Sequence, residues 1–314
     1  MADVGCAGIL VADTFCGPMK RLPAEGELLA LDHMPSKAGG CAANVAIDLA
    51  KQGIGVEVCG CVGTDASADV LFQSFEAAGV SCGQVTRLDT HPTGKTVILL
   101  VEGEDRRYLH VFGANAAFDV RRIRRDWIDG LKVLYLGGLF AMPALRTDEL
   151  AELLGYCRQR GIVTVVDVVV PHTHAGMDGL CPLLPHVDYF LPNDDEARRL
   201  TGLADTEQQI EAFLRHGART VIITRGREGS IAARGGERWR GEVFEVDSVD
   251  PSGSGDAFAT GVVTGIVRGW DMPQMLRYGA ALGASATTAI GTTDGVFTAA
   301  EARAFLDHPC QQKR

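Results

Sequence analysis

The run Asp250-Pro251-Ser252-Gly253-Ser254-Gly255-Asp256-Ala257-Phe258 decides how the rest of this chain is read. Gly253, Ser254 and Gly255 are small, so the backbone there can wrap closely around a ligand. A mixed polar and apolar stretch, Glu242–Val249, leads into them, and Phe258, Val262, Val263 and Ile266 then form the apolar side of a helix. Free N–H groups at a helix start favour an anion. Asp256 places a carboxylate beside that anion. Two readings of it stand: an ordinary helix cap, or a general base that takes a hydroxyl proton as the anionic group arrives. Phosphoryl transfer needs the second pairing, with N–H groups for developing charge and a carboxylate for the nucleophile.

Outward from this run, short apolar segments alternate with helical patterns. Gly5–Val11, Val56–Val62, Val133–Leu136, Ile162–Val168, Val187–Leu191 and Thr220–Thr224 read as strands. Ala42–Lys51, Asp69–Ala78, Asp148–Arg160 and Glu207–His216 read as helices. The alternation predicts an α/β fold: a mostly parallel sheet with helices on both faces. Ligands in such sheets bind beyond the carboxyl ends of the strands. One stretch breaks the rhythm. Lys95–Glu102 and Arg107–Phe112 flank Gly103-Glu104-Asp105, which is hairpin chemistry. Residues Phe15 to Pro35 also lack a helical period and carry Pro18, Pro23 and Pro35. Together these segments predict a small β appendage, either a surface flap or a lid over substrate.

The 314 residues are 46% hydrophobic and 22% charged, enough for a sizeable core. A net charge of -10 argues against nucleic acid as the main partner. It leaves room for a small anion held by a few N–H groups. Met1-Ala2-Asp3-Val4-Gly5 has no basic segment before an apolar core, so no signal peptide and a cytoplasmic location are expected. The uncharged stretch Tyr278–Thr293 is rich in Ala, Gly and Thr and reads as a buried helix, not a membrane span. Nine cysteines with no C-x-x-C pair read as reduced core thiols. Cys59 and Cys61 would point the same way on one strand.

Two phosphate-binding loops fail at positions that backbone geometry demands. Gly94-Lys95-Thr96 ends like a Walker A loop, but Asp89 holds its first glycine position. Gly253-Ser254-Gly255 opens like a dinucleotide fingerprint, but Phe258 holds the last. His172 and His174 lack an evident third metal ligand. Arg121-Arg122-Ile123-Arg124-Arg125 reads as a solvated helix face. Arg106 and Arg107 sit at the hairpin, as an exposed turn or as substrate contacts if it closes.

Several motifs then fall in one order. Asp250-x-x-Gly253-x-Gly255-Asp256-Ala257-Phe258 resembles the second signature of the PfkB family of carbohydrate kinases, and Gly39-Gly40-Cys41-Ala42-Ala43-Asn44-Val45-Ala46 its first. Asn193-Asp194-Asp195-Glu196 is similar to the family's N-x-x-E motif, and Thr224-Arg225-Gly226-Arg227-Glu228-Gly229 to its T-x-G-x-x-G. Gly113-Ala114-Asn115 and the hairpin before it match the ribokinase pattern. The elements span nearly the whole chain.

The resemblance implies a single ribokinase-like three-layer domain over 1–314, with a discontinuous β lid from about 14–36 and 92–113. It implies transfer of the ATP γ-phosphoryl group to a primary hydroxyl of a sugar-like alcohol. Asp256 would be the base and the backbone of Gly253, Ser254, Gly255 and Asp256 the anion hole. Asp13, Gly39, Gly40 and Asn44 would hold the polyol; a carboxylate suits hydroxyl donors, though Asp13 also fits a turn cap. Asn193, Thr224, Gly226 and Gly229 would line the nucleotide site. Glu196 would organise Mg²⁺ through water, or else be an ordinary first-turn acid. Asp250 resembles the anchor of a monovalent-cation site, with K⁺ as the candidate ion. A homodimer through the lid, and no membrane partner, follow by the same resemblance. Three departures stand out. Pro251 replaces a threonine and removes an N–H. Cys41 replaces a ribokinase lysine, which disfavours ribose. Ala280 stands where ribokinases place Asn or His near adenine. The alternatives are a nucleoside kinase of the same family, with Phe15 to stack a base, and a sugar-binding regulator without chemistry. A phosphosugar kinase would want more cations near the first signature than Lys37 supplies.

Overall fold

The computed structural model describes residues 2–104, 106–171 and 176–307. His172 and His174 lie outside them. The strands are β1 (Val4–Gly8), β2 (Val11–Met19), β3 (Ser36–Gly39), β4 (Val56–Val62), β5 (Ser81–Arg87), β6 (Gly94–Val101), β7 (Arg107–Val111), β8 (Val133–Leu139), β9 (Val163–Val168), β10 (Tyr189–Phe190), β11 (Thr220–Thr224), β12 (Ser230–Arg234) and β13 (Glu237–Gly241). The helices are α1 (Cys41–Lys51), α2 (Ala66–Ala78), α3 (Arg125–Ile128), α4 (Thr147–Gln159), α5 (Asp194–Thr201), α6 (Thr206–Arg215), α7 (Ser254–Arg268), α8 (Met272–Ala286) and α9 (Ala299–Asp307).

A nine-stranded sheet runs β13-β12-β11-β10-β9-β8-β1-β4-β5. It is parallel except where β12 joins β11 and β13. The period-two geometry of a strand sends alternate residues to opposite faces. Leu134 and Leu136 of β8 enter one core, with Leu150 and Leu154 of α4 and Phe213 of α6. Val133 and Tyr135 enter the other, with Leu49 of α1, Phe75 of α2 and Val262 of α7. Both faces are therefore covered, and the three-layer α/β expectation holds. The chain builds outward from β1 through β4, then returns to β8 on β1's other side. A crevice opens at such a reversal, beyond the carboxyl ends of the strands.

A separate four-stranded sheet has the order β3-β2-β6-β7. The hairpin supplies β6 and β7 as expected, whereas the segment Phe15 to Pro35 is strand only as far as Met19: residues 20–35 form a loop that joins β2 to β3. The chain enters this sheet at a break in the run Gly5–Val11, which the sequence predicts as one strand. Buried Asn115 explains the break: its Oδ1 accepts the Leu10 N–H at 2.9 Å, and its Nδ2 donates to the Leu10 carbonyl at 2.8 Å. Both main-chain groups are satisfied without a strand partner, so β1 can end and β2 begin in another sheet.

Other boundaries differ for local reasons. The predicted helix over Tyr278–Thr293 ends at Ala286. There Thr287 and Thr288 turn their hydroxyls onto the carbonyls of Ala284 and Ser285, and residues 287–296 continue as a loop. The arginine run forms a turn and the short α3, with Arg121 paired to Asp119 and Arg124 to Asp126. The eight described cysteines are unpaired. Among the described residues no helix is long and apolar enough to cross a membrane.

Asn115→Ala would leave the Leu10 N–H and carbonyl buried and unpaired. A loss of about 2–4 kcal/mol of unfolding free energy is expected from two such groups. Urea denaturation checks it, and a loss below about 0.5 kcal/mol would remove Asn115 as the clasp.

Candidate active site

Three helix N-termini, those of α1, α5 and α7, meet in the crevice. Helix α7 starts after Gly253, whose φ of 77° is left-handed. A Cβ there would lie 2.1 Å from the Thr292 carbonyl oxygen, so only glycine lets the turn close on the loop behind it. Helical geometry leaves the N–H groups of Gly255 and Asp256 without intrahelical acceptors. Gly253 is the N-cap and no side chain caps α7. The cap reading of Asp256 therefore fails. Its carboxylate turns instead toward α1, where Asn44 Nδ2 donates to Oδ2 at 2.7 Å. Asn44 is itself oriented by Thr292, whose hydroxyl donates to Asn44 Oδ1 at 2.8 Å. Burial raises the Asp256 pKa, and hydrogen bonds from Asn44 and the Cys41 thiol pull it partly back.

Asp13 lies on β2 with 6% of its surface exposed. A Cβ on Gly39 would sit 1.9 Å from Asp13 Oδ2, so that glycine makes room for the carboxylate. Burial lifts the Asp13 pKa to about 7, against a Thr96 hydrogen bond and with added repulsion from Asp256 and Asp250. Gly40 is the N-cap of α1. Asp13, Gly39, Gly40 and Asn44 thus form one cluster on the small-sheet side of Asp256.

Across Asp256, a cavity of about 160 Å³ is lined by Asn193, Glu196 and Thr224, together with the turn Gly253–Asp256. Asn193 caps α5, and the Glu196 side chain reaches back to the Asn193 N–H at 2.9 Å, a reciprocal box. Glu196 is thus a first-turn acid that also faces the cavity. Burial raises its pKa to about 7, against the Asn193 N–H and with added repulsion from Asp256. Asn193 bridges to Thr224 at the end of β11. Gly226 and Gly229 shape the turn after Thr224, outside the cavity wall. Asp250 is fully buried behind the turn, accepting N–H groups from Ser252 at 3.0 Å and Gly291 at 3.2 Å.

Three cavity residues carry more weight than the sequence reading gave them. Asp167 is the penultimate residue of β9, and burial, then repulsion from Asp256 and Glu196, holds its pKa well above the carboxylate range. Tyr135 donates to it at 2.9 Å. The donor atoms of Cys41, Asp167 and Asp256 lie within 4.8 Å of one another. Arg106, from the hairpin, also lines the cavity. The signal for Asp167 was a lone carboxylate within Val165-Val166-Asp167-Val168, where a buried acid needs a reason. So many carboxyls in one crevice fit a hard cation kept partly hydrated, and Asp167 and Glu196 are the residues that would hold Mg²⁺. Phe15 has no exposed surface, so it has no free face for a base.

The profile of the pfkB family carbohydrate kinases matches residues 1–299. The chain belongs to the PfkB family. Among curated members it is 26% identical over 255 residues to an ATP-dependent 6-phosphofructokinase of Thermoanaerobacterium thermosaccharolyticum, covering 78% of this chain and 77% of that one. It is 25% identical over 288 residues to the ribokinase of Haemophilus influenzae, covering 90% and 92%. Among solved structures, Arabidopsis thaliana ribokinase complexed with ribose and ATP superposes with a TM-score of 0.83 at 22% identity, over 97% of this chain and 98% of that one. The fold is the ribokinase-like one.

The raised pKa of Asp13 has a measurable consequence. The folded PfkB chain keeps this proton up to about pH 7, whereas the unfolded chain releases it near 3.8. Between these values the folded state binds more protons, so this group lowers stability as pH rises toward 7. Asp13→Asn removes the effect. Without ligand, it should melt several degrees above the parent at about pH 8, with the gap narrowing as pH falls below about 7 and closing only near pH 3.8. A gap that ignores pH would show that Asp13 is not held protonated.

Proposed function

We propose that this PfkB chain transfers the γ-phosphoryl group of ATP to a hydroxyl of a sugar or sugar-like alcohol, with Asp256 as general base. The observation that carries the reading is the Asp256 carboxylate. It is held by Asn44 at 2.7 Å beside the open N-terminus of α7, yet caps no N–H of that helix. Asp13, Gly39, Gly40 and Asn44 bind the acceptor and aim its hydroxyl at Asp256. As the hydroxyl oxygen bonds to the γ-phosphorus, its proton passes to Asp256 and the bond to the β-phosphate oxygen breaks, releasing ADP. The N–H groups of the turn Gly253–Asp256 receive the charge that builds on the transferring oxygens. Asn193, Thr224, Gly226 and Gly229 form the nucleotide side. Glu196 and Asp167 would hold Mg²⁺ through water, and the bound ion would neutralise charge on the phosphates.

The small sheet acts as the lid. Its hairpin already brings Arg106 to the cavity wall, and closure would exclude water from the phosphoryl group. A neutral polyol or a sugar acid fits better than a phosphorylated sugar. Lys37, the cation beside the first signature, is engaged with the Ile290 carbonyl at 2.7 Å and Asp294 at 2.8 Å. The unpaired thiols fit the reducing cytoplasm.

Asp256→Asn should lower kcat by about 10³-fold while KM for ATP stays within about threefold. The assay is a panel of sugars, sugar acids and nucleosides with ATP and Mg²⁺. Unchanged kcat in the variant would remove Asp256 as the base, and turnover confined to nucleosides would reassign the acceptor.

The lid also pairs two copies of the chain. Every residue of β7 is exposed, with Leu109 at 64% and Val111 at 57%, and an apolar edge strand of this kind is normally covered. The protein should run as a dimer in light scattering, and Leu109→Glu as a folded monomer. A monomeric parent, or a dimer that survives the substitution, would exclude this surface.

A further inference from the structure

The loop at residues 287–296 lies directly behind the anion hole and is held by two lysine ammonium groups. Lys37 donates to the Ile290 carbonyl at 2.7 Å and to Asp294 at 2.8 Å. Its aliphatic stem packs on the loop, for a Cβ at Gly291 would meet Lys37 Cδ at 3.1 Å. Lys51 donates to the Thr293 carbonyl and pairs with buried Asp48 at 3.5 Å. Between these anchors the loop makes each connection the reactive turn relies on. Gly291 N–H donates to Asp250 at 3.2 Å. Thr292 donates to Asn44, which holds Asp256, and its carbonyl is the surface on which Gly253 closes.

Oxygen donors gathered beside a buried carboxylate are what a monovalent cation would use. Here Asp250 accepts two N–H groups, and an ammonium from the chain itself already sits on the adjoining carbonyl. A free cation would have to enter beside that positive charge. We infer that Lys37 takes the place of a monovalent cation: its tethered charge fixes residues 290–292, and through them the anion hole, so the enzyme needs no K⁺. Lys37 is a positioning residue: its ammonium is engaged by the Ile290 carbonyl and Asp294, and it is not part of the cavity wall. Lys51 pins the far side of the same loop.

The kinetic part rests on the proposed reaction, whereas a stability measurement does not. The parent, Lys37→Met and Lys37→Arg are compared in KCl, NaCl and N-methyl-D-glucamine chloride at equal ionic strength, by melting temperature and by kcat and KM. The parent should be indifferent to the cation in both readouts. Lys37→Met should lose about tenfold in kcat with acceptor KM within about twofold. K⁺ or Na⁺, but not the bulky organic cation, should restore part of that kcat and raise the variant's melting temperature. Lys37→Arg, which keeps the charge, should stay cation-indifferent. Activation or stabilisation of the parent by K⁺ overturns the inference. So does a Lys37→Met protein that loses stability with no response to any cation, since Lys37 would then be a surface tack. If no acceptor is turned over, the melting-temperature comparison still decides about Lys37, and only the proposed reaction falls.

Discussion

The site depends on keeping one carboxylate away from the nearest N–H groups. Asp256 stands in the first turn of α7, where an acid ordinarily settles onto free backbone donors. Had it done so, the donors and the acceptor would have cancelled each other. Gly253 takes the cap position, and Asn44 draws the carboxylate across to α1. The N–H groups and the carboxylate therefore stay separately available, one for negative charge and the other for a proton. Thr292 holds Asn44 in turn, so the geometry of the base is set by a loop some thirty-six residues further along the chain.

The large sheet explains why these parts converge. Asp167 lies one residue before the end of β9, Thr224 ends β11, and Asn193 follows β10. Asp13 comes from the segment that leaves β1. Each lies on the same edge because parallel strands present their carboxyl ends together. Burial, with repulsion from neighbouring acids added, raises the pKa of Asp13 and of Glu196, both to about 7. A crevice that is costly to leave empty is one that gains from a bound cation.

Much of this was legible in the chain. The alternation of apolar runs and helical periods gave the central sheet because buried parallel strands are apolar on both faces. Val56–Val62 and Thr220–Thr224 emerge with the boundaries read from sequence. The turn before Asp256 stood out because small residues are needed where a backbone must close on another. Other elements lacked that signal. β5 is a polar strand at the sheet's edge, with no face buried deeply enough to leave a pattern. The hairpin of β12 and β13 was announced only by Gly235-Gly236. The loop after Ala286 has a helix-like composition, and its course is set by Lys37, Lys51 and Asp250, which lie far away in sequence. Asp256 itself could be recognised, but not whether it capped the helix, because that depends on Asn44 being opposite.

The attachment of the small sheet separates two tasks. Val11 pairs with Gly39 on one side and Gly94 on the other, so three of its strands meet the body of the molecule at a single row. Asp13 stands two residues beyond that row, and the far end of the hairpin, near Val101, carries Arg106 back to the cavity beside the N-terminus of α7. The appendage spans the crevice: its fixed end carries Asp13, and its far end reaches the cavity through Arg106. Change at the far end reaches the cavity by way of Arg106, while the position of Asp256 is set elsewhere, by Asn44 and Thr292. A scaffold of this kind can acquire a new acceptor by rebuilding one arm while the phosphoryl-transfer centre stays as it is.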